Sequence, residues 1–396
     1  MRIAFVTGGL PFGGSTAFLL HLCSGIQAAG IACEIHSLTR ENPMHQDFKK
    51  ESIPVHTCDD RRWIFEDRLR QTYNAIARFN ANVVVANIGK DAYEFLAQTP
   101  KSVVRVGVIH DRYMNPSTLI PLFHDALDHV VVIAHHLIQD IATTTAKASC
   151  TYMPHGIPIP SALPSREPNP AGSLKLIYFG RITEKKGAKI FPQIVESLNS
   201  AKVPYQWTIH GEGSEKAWLQ ERLVNEVSAG IVTFSNPVCR GELLPIVRKH
   251  DVYLLASEIE GGPLTLLEAM GLGLVPVCGN IPCLVQDVIT PENGFVVPRE
   301  SAAHYADAIQ RLHANRPLLE RMSAAARSTI NADFTVEVMA RRYIALFTNL
   351  IQSKPPHVWP SYRSTSSLRS LRGKWNAHPG LRPLRRLIKF LTKTKL

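Results

Sequence analysis

The sequence predicts an α/β protein with two Rossmann-like domains that face each other across a cleft. Strand-like and helix-like patterns alternate along the chain in two series, and a segment with six prolines between residues 154 and 173 separates them. Alternation of this kind is typical of parallel sheets covered by helices. Parallel sheets bind ligands at the carboxyl ends of their strands, so the expected site is the cleft between the two domains.

Each predicted strand is a short apolar run. The first series has runs at 2–7, 32–38, 81–88, 103–110 and 129–134, and the second has runs at 174–179, 205–210, 231–234, 252–256, 274–278 and 294–297. These runs predict an N-terminal domain at 1–160 and a C-terminal domain at 161–335. A helix at 336–352 is expected to return to the first domain, and a basic tail follows at 353–396.

Composition and charge restrict the function classes. The 396 residues are 45% apolar and contain no run of eighteen apolar residues, so no membrane-spanning helix is expected. Of the net charge of +11, residues 363–396 contribute +10, because they hold ten basic residues and no acidic one. The remaining body charge of +1 argues against nucleic-acid binding by the body. The seven cysteines form no C-x-x-C pair, so neither a disulfide framework nor a zinc site is expected.

The most informative stretch is residues 257–270, which follow the predicted strand 252–256. Gly262 and the glycine before it allow a sharp turn, Pro263 suits the first position of a helix, and apolar residues then repeat at helical spacing. The start of a helix at the end of a strand is a common phosphate site, because its N–H groups and dipole attract anions.

Two carboxylates, Glu260 and Glu268, flank this helix start. Anions beside a phosphate repel it, so we interpret both as acceptors for sugar hydroxyls. The alternative is that Glu260 caps the helix and Glu268 is a solvated helix residue.

Two cations follow the first strand of the second domain. Arg181 and Lys186 are placed to neutralise a diphosphate leaving group, and electrostatic help of this kind is often a large catalytic contribution. The alternative is that both are solvated surface residues.

The first domain offers weaker signals. Gly13 and Gly14 belong to a glycine-rich turn that predicts a phosphate or sugar loop or merely a tight turn. Its spacing is not G-x-G-x-x-G, which disfavours a nicotinamide cofactor. His110 closes a strand and is a candidate for contact with the reacting sugar, although a structural role is common for a lone histidine. We interpret His155 as structural.

Together these motifs resemble the retaining glycosyltransferases of family 4, which have the GT-B fold. The resemblance rests on Gly-Arg181…Lys186-Gly, on Glu260 and Glu268 within EGGPLTLLEAM, and on ENGFVV at 292–297. It is strong in the second half of the chain and loose in the first.

The resemblance implies a hexosyltransferase-type enzyme of polysaccharide biosynthesis that needs no metal or other cofactor. It would move a sugar, with retention, from a nucleotide-diphosphate donor to a glycan or lipid-linked acceptor. Arg181 and Lys186 would contact the diphosphate, Glu268 the ribose and Glu260 the transferred sugar. The other implied donor contacts are Gly13, Gly14, His110, Val238, Gly262, Pro263, Leu264 and Thr265.

Two features bear on this resemblance. The sequence has no D-x-D triplet for a metal-bridged diphosphate, which agrees with metal-independent transfer. Asn280 replaces a common glycine of the family, and Cys283 stands where an acidic residue is usual, which leaves local contacts and the choice of donor open.

The tail predicts a short basic amphipathic helix at residues 383–393. Its apolar residues recur at i, i+3, i+4 and i+7 with arginines and lysines between them, a pattern typical of helices on anionic membrane surfaces. We therefore expect a cytoplasmic enzyme, peripheral on the inner face of the membrane. A solvated tail and a weak nucleic-acid contact are the alternatives.

Three rival functions remain at this point. A glycosidase also uses two carboxylates, a non-catalytic protein of the same fold could bind a sugar nucleotide, and a nucleotide-sugar epimerase shares the fold. The base, the sugar, the acceptor and the linkage do not follow from the sequence, because a fold supports many functions.

Overall fold

A parallel sheet forms the centre of each of two units. The computed structural model describes residues 1–40, 42–60, 64–142, 149–160, 172–238 and 240–362. The N-terminal unit comprises residues 1–156 together with 336–362, and the C-terminal unit is Ile157–Thr335. The boundary between the units therefore follows Gly156, whereas the sequence predicted a boundary after residue 160. The predicted basic tail beyond residue 362, with its amphipathic segment 383–393, lies outside the described residues.

The N-terminal unit has a seven-stranded sheet in the order β3-β2-β1-β4-β5-β6-β7, and every pair is parallel. Its strands are β1 (Arg2–Thr7), β2 (Ala32–Ser37), β3 (Val55–Thr57), β4 (Val83–Ala86), β5 (Val104–Ile109), β6 (His129–Val132) and β7 (Cys150–Tyr152). Strands β4, β5 and β6 are buried along their whole length, as expected of a parallel sheet with helices on both faces.

Helices connect these strands as crossovers. They are α1 (Gly14–Ala28), α2 (His45–Lys50), α3 (Phe65–Phe79), α4 (Lys90–Leu96), α5 (Pro116–Phe123) and α6 (His136–Ala142). Helix α3 shows how the sequence sets the packing, because Leu69, Tyr73 and Ile76 recur at helical spacing and are buried. Helix α3 ends at Asn80, which adopts the left-handed conformation that asparagine tolerates.

The C-terminal unit has a six-stranded parallel sheet in the order β10-β9-β8-β11-β12-β13. Its strands are β8 (Leu174–Phe179), β9 (Tyr205–His210), β10 (Val232–Ser235), β11 (Val252–Leu255), β12 (Val275–Gly279) and β13 (Phe295–Val297). Its helices are α7 (Phe191–Ser200), α8 (Lys216–Arg222), α9 (Val224–Ser228), α10 (Arg240–Val247), α11 (Leu264–Gly271), α12 (Leu284–Val288), α13 (Ala302–Ala314) and α14 (Arg316–Asp333). Trp207, Phe191 and Tyr305 are among the large side chains of its core.

The last helix, α15 (Val336–Gln352), packs into the N-terminal unit. Helix α1 approaches it closely at Gly25, where a Cβ would lie 2.7 Å from the Cβ of Ala340 and 2.8 Å from a methyl group of Val336. A larger residue than glycine would push the two helices apart. Tyr343 and Phe347 are fully buried, so α15 forms part of the core of this unit.

The predicted fold class of two Rossmann-like parallel sheets is confirmed. All six strands predicted for the C-terminal unit are present, and five of the seven in the N-terminal unit were predicted. The two missed strands, β3 and β7, have three residues each and occupy the two edges of the sheet. Strands this short carry little periodicity of their own. Within the described ranges, no helix combines the length and apolarity that crossing a membrane requires.

Candidate functional site

Helix α11 begins after the loop that follows β11, and no side chain caps its first turn. The sequence predicted Pro263 as the first helical residue. The structure places it one position earlier, at the N-cap, because its ψ of 101° is extended, and Leu264 is the first helical residue. The N–H groups at a helix start lack partners within the helix, so an uncapped start can bind an anion.

The Lys186 side chain lies against Glu260. Its Nζ donates to Oε1 of Glu260 at 2.6 Å, and Oγ of Ser257 donates to the same oxygen at 2.8 Å. The lysine and glutamate side chains are 23% and 11% exposed, so water screens their attraction less than it would at an open surface. The residue predicted to contact the diphosphate and the residue predicted to bind the sugar are thus direct partners.

Two backbone contacts join the loop after β8 to the loop after β11, its neighbour in the sheet. The N–H of Glu258 donates to the carbonyl of Lys185 at 2.9 Å. Gly187 has a φ of 82°, and a Cβ there would lie 2.1 Å from the carbonyl oxygen of Ala256. Only glycine permits this conformation and this approach. The contact fixes the loop that carries Lys186.

Arg181 follows the end of β8, and its side chain is exposed. The hydroxyl of the buried Tyr178 donates to the carbonyl of Arg181 at 2.5 Å. Burial raises the pKa of Tyr178, the charge of Glu260 adds to the rise, and the charge of Arg181 opposes it.

The remaining predicted contacts in this unit lie in α11 and around it. Glu268 is 6% exposed, so it is not the solvated residue of the alternative interpretation. Thr265 shares a hydrogen bond of 2.7 Å with the hydroxyl of Tyr253. Gly262 is half-buried in the turn, and Val238 is exposed in the loop after β10. Oε1 of Glu260 accepts from Lys186 and Ser257, and the N-cap of α11 is Pro263, so Glu260 is not the capping residue.

In the N-terminal unit, Gly13 and Gly14 form the start of α1. Gly13 is the N-cap with a φ of 157°, and Gly14 is the first helical residue. No atom lies within 4 Å of the place where a Cβ of Gly13 would stand, and the preceding Phe12 is 78% exposed. This open geometry fits both a ligand loop and a tight turn.

His110 is buried, and both of its ring nitrogens have partners. Nε2 lies 2.7 Å from Oδ1 of Asn87, and Nδ1 lies 3.3 Å from Nε2 of His155. Burial lowers the pKa of His110 to about 3, so the ring is neutral. The hydrogen bonds assign its proton to Nε2, which donates to Asn87, and leave Nδ1 to accept from His155. His110 reaches a substrate only if it exchanges one of these bonds.

The structure links His155 to His110, although the sequence analysis gave His155 no functional role. The ring of Phe18 stacks on His155 at 4.8 Å between centroids and meets His110 edge-on at 4.9 Å. Burial lowers the pKa of His155, and nearby His110 and His21 lower it further. Within the described part of the chain, Nδ1 of His155 is buried without a hydrogen-bond partner.

Asn87 and Ser257 are the other polar partners that sequence reasoning missed. Asn87 directly follows β4, and Ser257 lies two residues after the end of β11. A polar residue just beyond the carboxyl end of a parallel strand was therefore a usable signal.

The two departures from the family pattern are accommodated by hydrogen bonds within their own loop. Oδ1 of Asn280 accepts from Nε2 of Gln286 at 2.8 Å. Cys283 is the N-cap of α12, and its Sγ accepts from the N–H of Val285 at 3.4 Å. These residues thus stabilise the start of α12.

A cavity of about 200 Å³ lies beside the joined loops. Its lining includes Gly187, Ala256, Glu258 and Arg299, and none of the predicted site residues. The cavity is therefore not the site that the motifs predict.

Comparison with known proteins connects this geometry to a family. Residues 162–329 match the family model described as Glycosyl transferases group 1. The match falls within the C-terminal unit and contains Arg181, Lys186, Glu260 and Glu268.

Curated relatives match less than half of the chain. Over 169 residues the chain is 27% identical to a glycogen synthase of Mycobacterium tuberculosis, covering 43% of this chain and 41% of that protein. Over 192 residues it is 27% identical to WcaL of Escherichia coli, a putative colanic acid biosynthesis glycosyltransferase, covering 46% of each. The chain thus spans less than half the length of these relatives.

Solved structures match most of the chain. HepE of Anabaena, solved in complex with UDP, has a TM-score of 0.73 at 14% identity and covers 88% of this chain and 100% of its own. TarM of S. aureus, solved with UDP and α-GlcNAc-glycerol among its ligands, has a TM-score of 0.72 at 12% identity over 88% and 100%.

The chain has the GT-B glycosyltransferase fold. The family match and the curated relatives support its place in the glycosyltransferase superfamily.

Proposed function

We propose that this protein is a retaining, metal-independent glycosyltransferase of family 4 that uses a nucleotide-diphosphate sugar. The observation that carries the proposal is the ion pair between Lys186, in the loop after β8, and Glu260, in the loop that leads from β11 to the uncapped start of α11. This arrangement brings a cation for a diphosphate and a carboxylate for a sugar within one hydrogen bond of each other.

The cations and the helix start stabilise the leaving group. When the bond between the anomeric carbon and the diphosphate oxygen breaks, negative charge grows on the diphosphate. Lys186, Arg181 and the first N–H groups of α11 lower the energy of that charge, because they are oriented before it develops. Lys186 exchanges Glu260 for the diphosphate when the donor binds.

Glu260 is then released to accept hydrogen bonds from the hydroxyls of the transferred sugar, while Ser257 continues to orient it. Glu268 binds the ribose hydroxyls. Gly262, Pro263, Leu264 and Thr265 surround the phosphate and the sugar, and Val238 lies against the base.

The acceptor hydroxyl attacks the anomeric carbon from the face that the diphosphate leaves. Its oxygen forms the new glycosidic bond, and its proton passes to the departing phosphate oxygen, so no strong general base is required. The neutral His110 contacts the donor sugar as a hydrogen-bond partner, and Gly13 and Gly14 approach the diphosphate.

The first donors to test are UDP-sugars. HepE was solved with UDP, and the pneumococcal O-GlcNAc transferase GtfA with UDP and GlcNAc. The acceptor is a glycan or a lipid-linked molecule; the related WcaL is named as a putative glycosyltransferase of colanic acid biosynthesis. We place the enzyme in the cytoplasm, on the inner face of the membrane, with the basic tail at residues 363–396 as its contact.

A screen of nucleotide sugars by thermal shift tests the donor, followed by hydrolysis and transfer assays with the sugar that binds best. We expect one sugar nucleotide to raise the melting temperature and to yield a product with the anomeric configuration of the donor by NMR. Binding without turnover indicates a non-catalytic protein, isomerised sugar an epimerase, and cleavage of a plain glycoside a glycosidase. Each of these three results refutes the proposal.

Vesicles with anionic lipids test the location. The intact chain should sediment with such vesicles and release with salt, and a 1–362 truncation should not, because each basic residue near the surface contributes about 1 kcal/mol. Equal sedimentation of both chains refutes membrane contact through the tail.

A further inference from the structure

A group of metal-ligating side chains lies in the N-terminal unit, outside the site described above. Glu34 and His36 are two positions apart on β2 and therefore project from the same face of the sheet. His56 on the edge strand β3 pairs directly with His36 in the parallel register. Strand pairing thus brings His56 to Glu34 and His36, which lie about 20 residues earlier in the chain.

The donor atoms are close enough to share one ion. Nε2 of His36 lies 2.7 Å from Oε1 of Glu34, and Nε2 of His56 lies 3.3 Å from Oε2. One ligand atom from each of the three residues lies within 4.8 Å of the others. In a tetrahedral zinc site with bonds of about 2.1 Å, donors are separated by about 3.4 Å. Small rotations of the side chains therefore suffice to admit an ion.

The group is also accessible and has a suitable charge. The side chains of His36 and Glu34 are 2% and 10% exposed, while that of His56 is 50% exposed, so an ion can enter past His56. The carboxylate of Glu34 lies against both imidazole rings and supplies a negatively charged ligand. Arg78 is a nearby cation that weakens the attraction for a metal.

We propose that Glu34, His36 and His56 bind a divalent transition metal ion such as Zn²⁺. Zinc is commonly bound by two imidazoles and one carboxylate, with water at the fourth coordination position. The ion would tie the three-residue edge strand β3 to β2. This site is independent of the proposed transfer reaction, which needs no metal.

The test uses the full chain, purified without a histidine tag and stripped of metal by a chelator. Zn²⁺ is titrated by calorimetry, and Co²⁺ is followed by the visible absorption of its tetrahedral complexes. We expect one ion per chain and a higher melting temperature in the presence of zinc. Absence of one-to-one binding overturns the proposal.

His56→Gln separates metal binding from hydrogen bonding, because the glutamine amide still donates to Glu34 but is a poor ligand for zinc. We expect it to weaken zinc binding by at least about 100-fold, since loss of even an outer partner costs 10- to 100-fold. The matched control is His129→Gln in the same unit, whose histidine bonds to Thr151 instead; it should bind zinc normally. Equal affinities for His56→Gln and the parent chain overturn the proposal.

X-ray absorption of the zinc-loaded parent chain gives a result that does not depend on the folding of any variant. Two imidazole nitrogens with light oxygen donors support the site. Sulfur at about 2.3 Å would assign the zinc to cysteines and refute it.

Discussion

The two units carry their polar groups in opposite ways. In the C-terminal unit, Lys186 and Glu260 are charged, partly exposed and paired with each other, and Arg181 is exposed. In the N-terminal unit, His110 and His155 are buried, neutral and joined by hydrogen bonds. The first arrangement suits a charged ligand that displaces an ion pair, and the second suits fixed positioning of a neutral ring.

This difference agrees with where the sequence similarity lies. The family match covers residues 162–329, which lie within the C-terminal unit. The C-terminal unit, which carries the charged pair, is therefore the unit that sequence comparison reaches.

The largest expected effect is on the cations. Lys186→Ala and Arg181→Ala should each lower turnover by about 100-fold or more, the loss typical when one preorganised donor to a developing charge is removed. The measurement is the initial rate of sugar transfer with the best donor. Lys185→Ala is the matched control, because Lys185 is an exposed lysine of the same loop. Normal turnover by both single variants would show that the charged unit does not act on the diphosphate.

The second comparison is between the losses of stability caused by alanine at one glycine of each unit, Gly187 and Gly13. Gly187→Ala should destabilise the protein by about 2–4 kcal/mol, because its Cβ would meet the Ala256 carbonyl at 2.1 Å in a left-handed backbone. Gly13→Ala has only backbone strain to overcome and should cost less than about 2 kcal/mol, since its surroundings are empty. Urea unfolding measures both. If Gly187→Ala and Gly13→Ala lower the free energy of unfolding equally, the loop around Gly187 can shift to admit the added methyl group.

Acid should weaken the N-terminal unit through its buried histidines. Burial lowers the pKa of His110 to about 3 and also lowers that of His155, whereas histidines of the unfolded chain titrate near 6.5. The unfolded chain therefore binds more protons below that pH, and the free energy of unfolding falls as the pH falls. His155→Asn should reduce this slope by up to about 1.4 kcal/mol per pH unit.

Denaturant unfolding at a series of pH values between about 4 and 7 measures the slope, within the range where histidines change charge. His45→Gln, which replaces a partly exposed histidine at the start of α2, is the control and should leave the slope unchanged. An unchanged slope in His155→Asn would show that His155 is protonated in the folded protein.

The smallest expected effect concerns Ser257. Its hydroxyl orients Glu260 through one hydrogen bond of 2.8 Å, so Ser257→Ala should cost about 1 kcal/mol, or roughly fivefold in kcat/KM. The measurement is the steady-state rate at several donor concentrations. A loss as large as that of Lys186→Ala would place Ser257 in direct contact with the donor.

The sequence was most informative where one local rule decided the outcome. Apolar runs such as β5 and β11 were predicted because buried parallel strands are mostly apolar. The turn before α11 was predicted from its glycines and Pro263. Strand β3 was missed because three residues at a sheet edge show no pattern.

The pairings between distant residues could not be predicted. Lys186 meets Glu260 because β8 and β11 are neighbours, and strand order is a property of the whole sheet. The same holds for His56 beside His36, where the expectation of no zinc site rested on cysteine spacing alone. The roles assigned to the individual site residues remain predictions.

The return of α15 to the first sheet has a consequence for synthesis. On the ribosome the C-terminal unit emerges whole before Val336 appears, whereas the unit that begins the chain lacks a core helix until then. Domains usually fold during synthesis in the order in which they leave the ribosome, so the N-terminal domain usually folds first. Here the unit that is made second can finish folding first, and until translation reaches α15 the face of α1 at Gly25 lacks the helix that covers it.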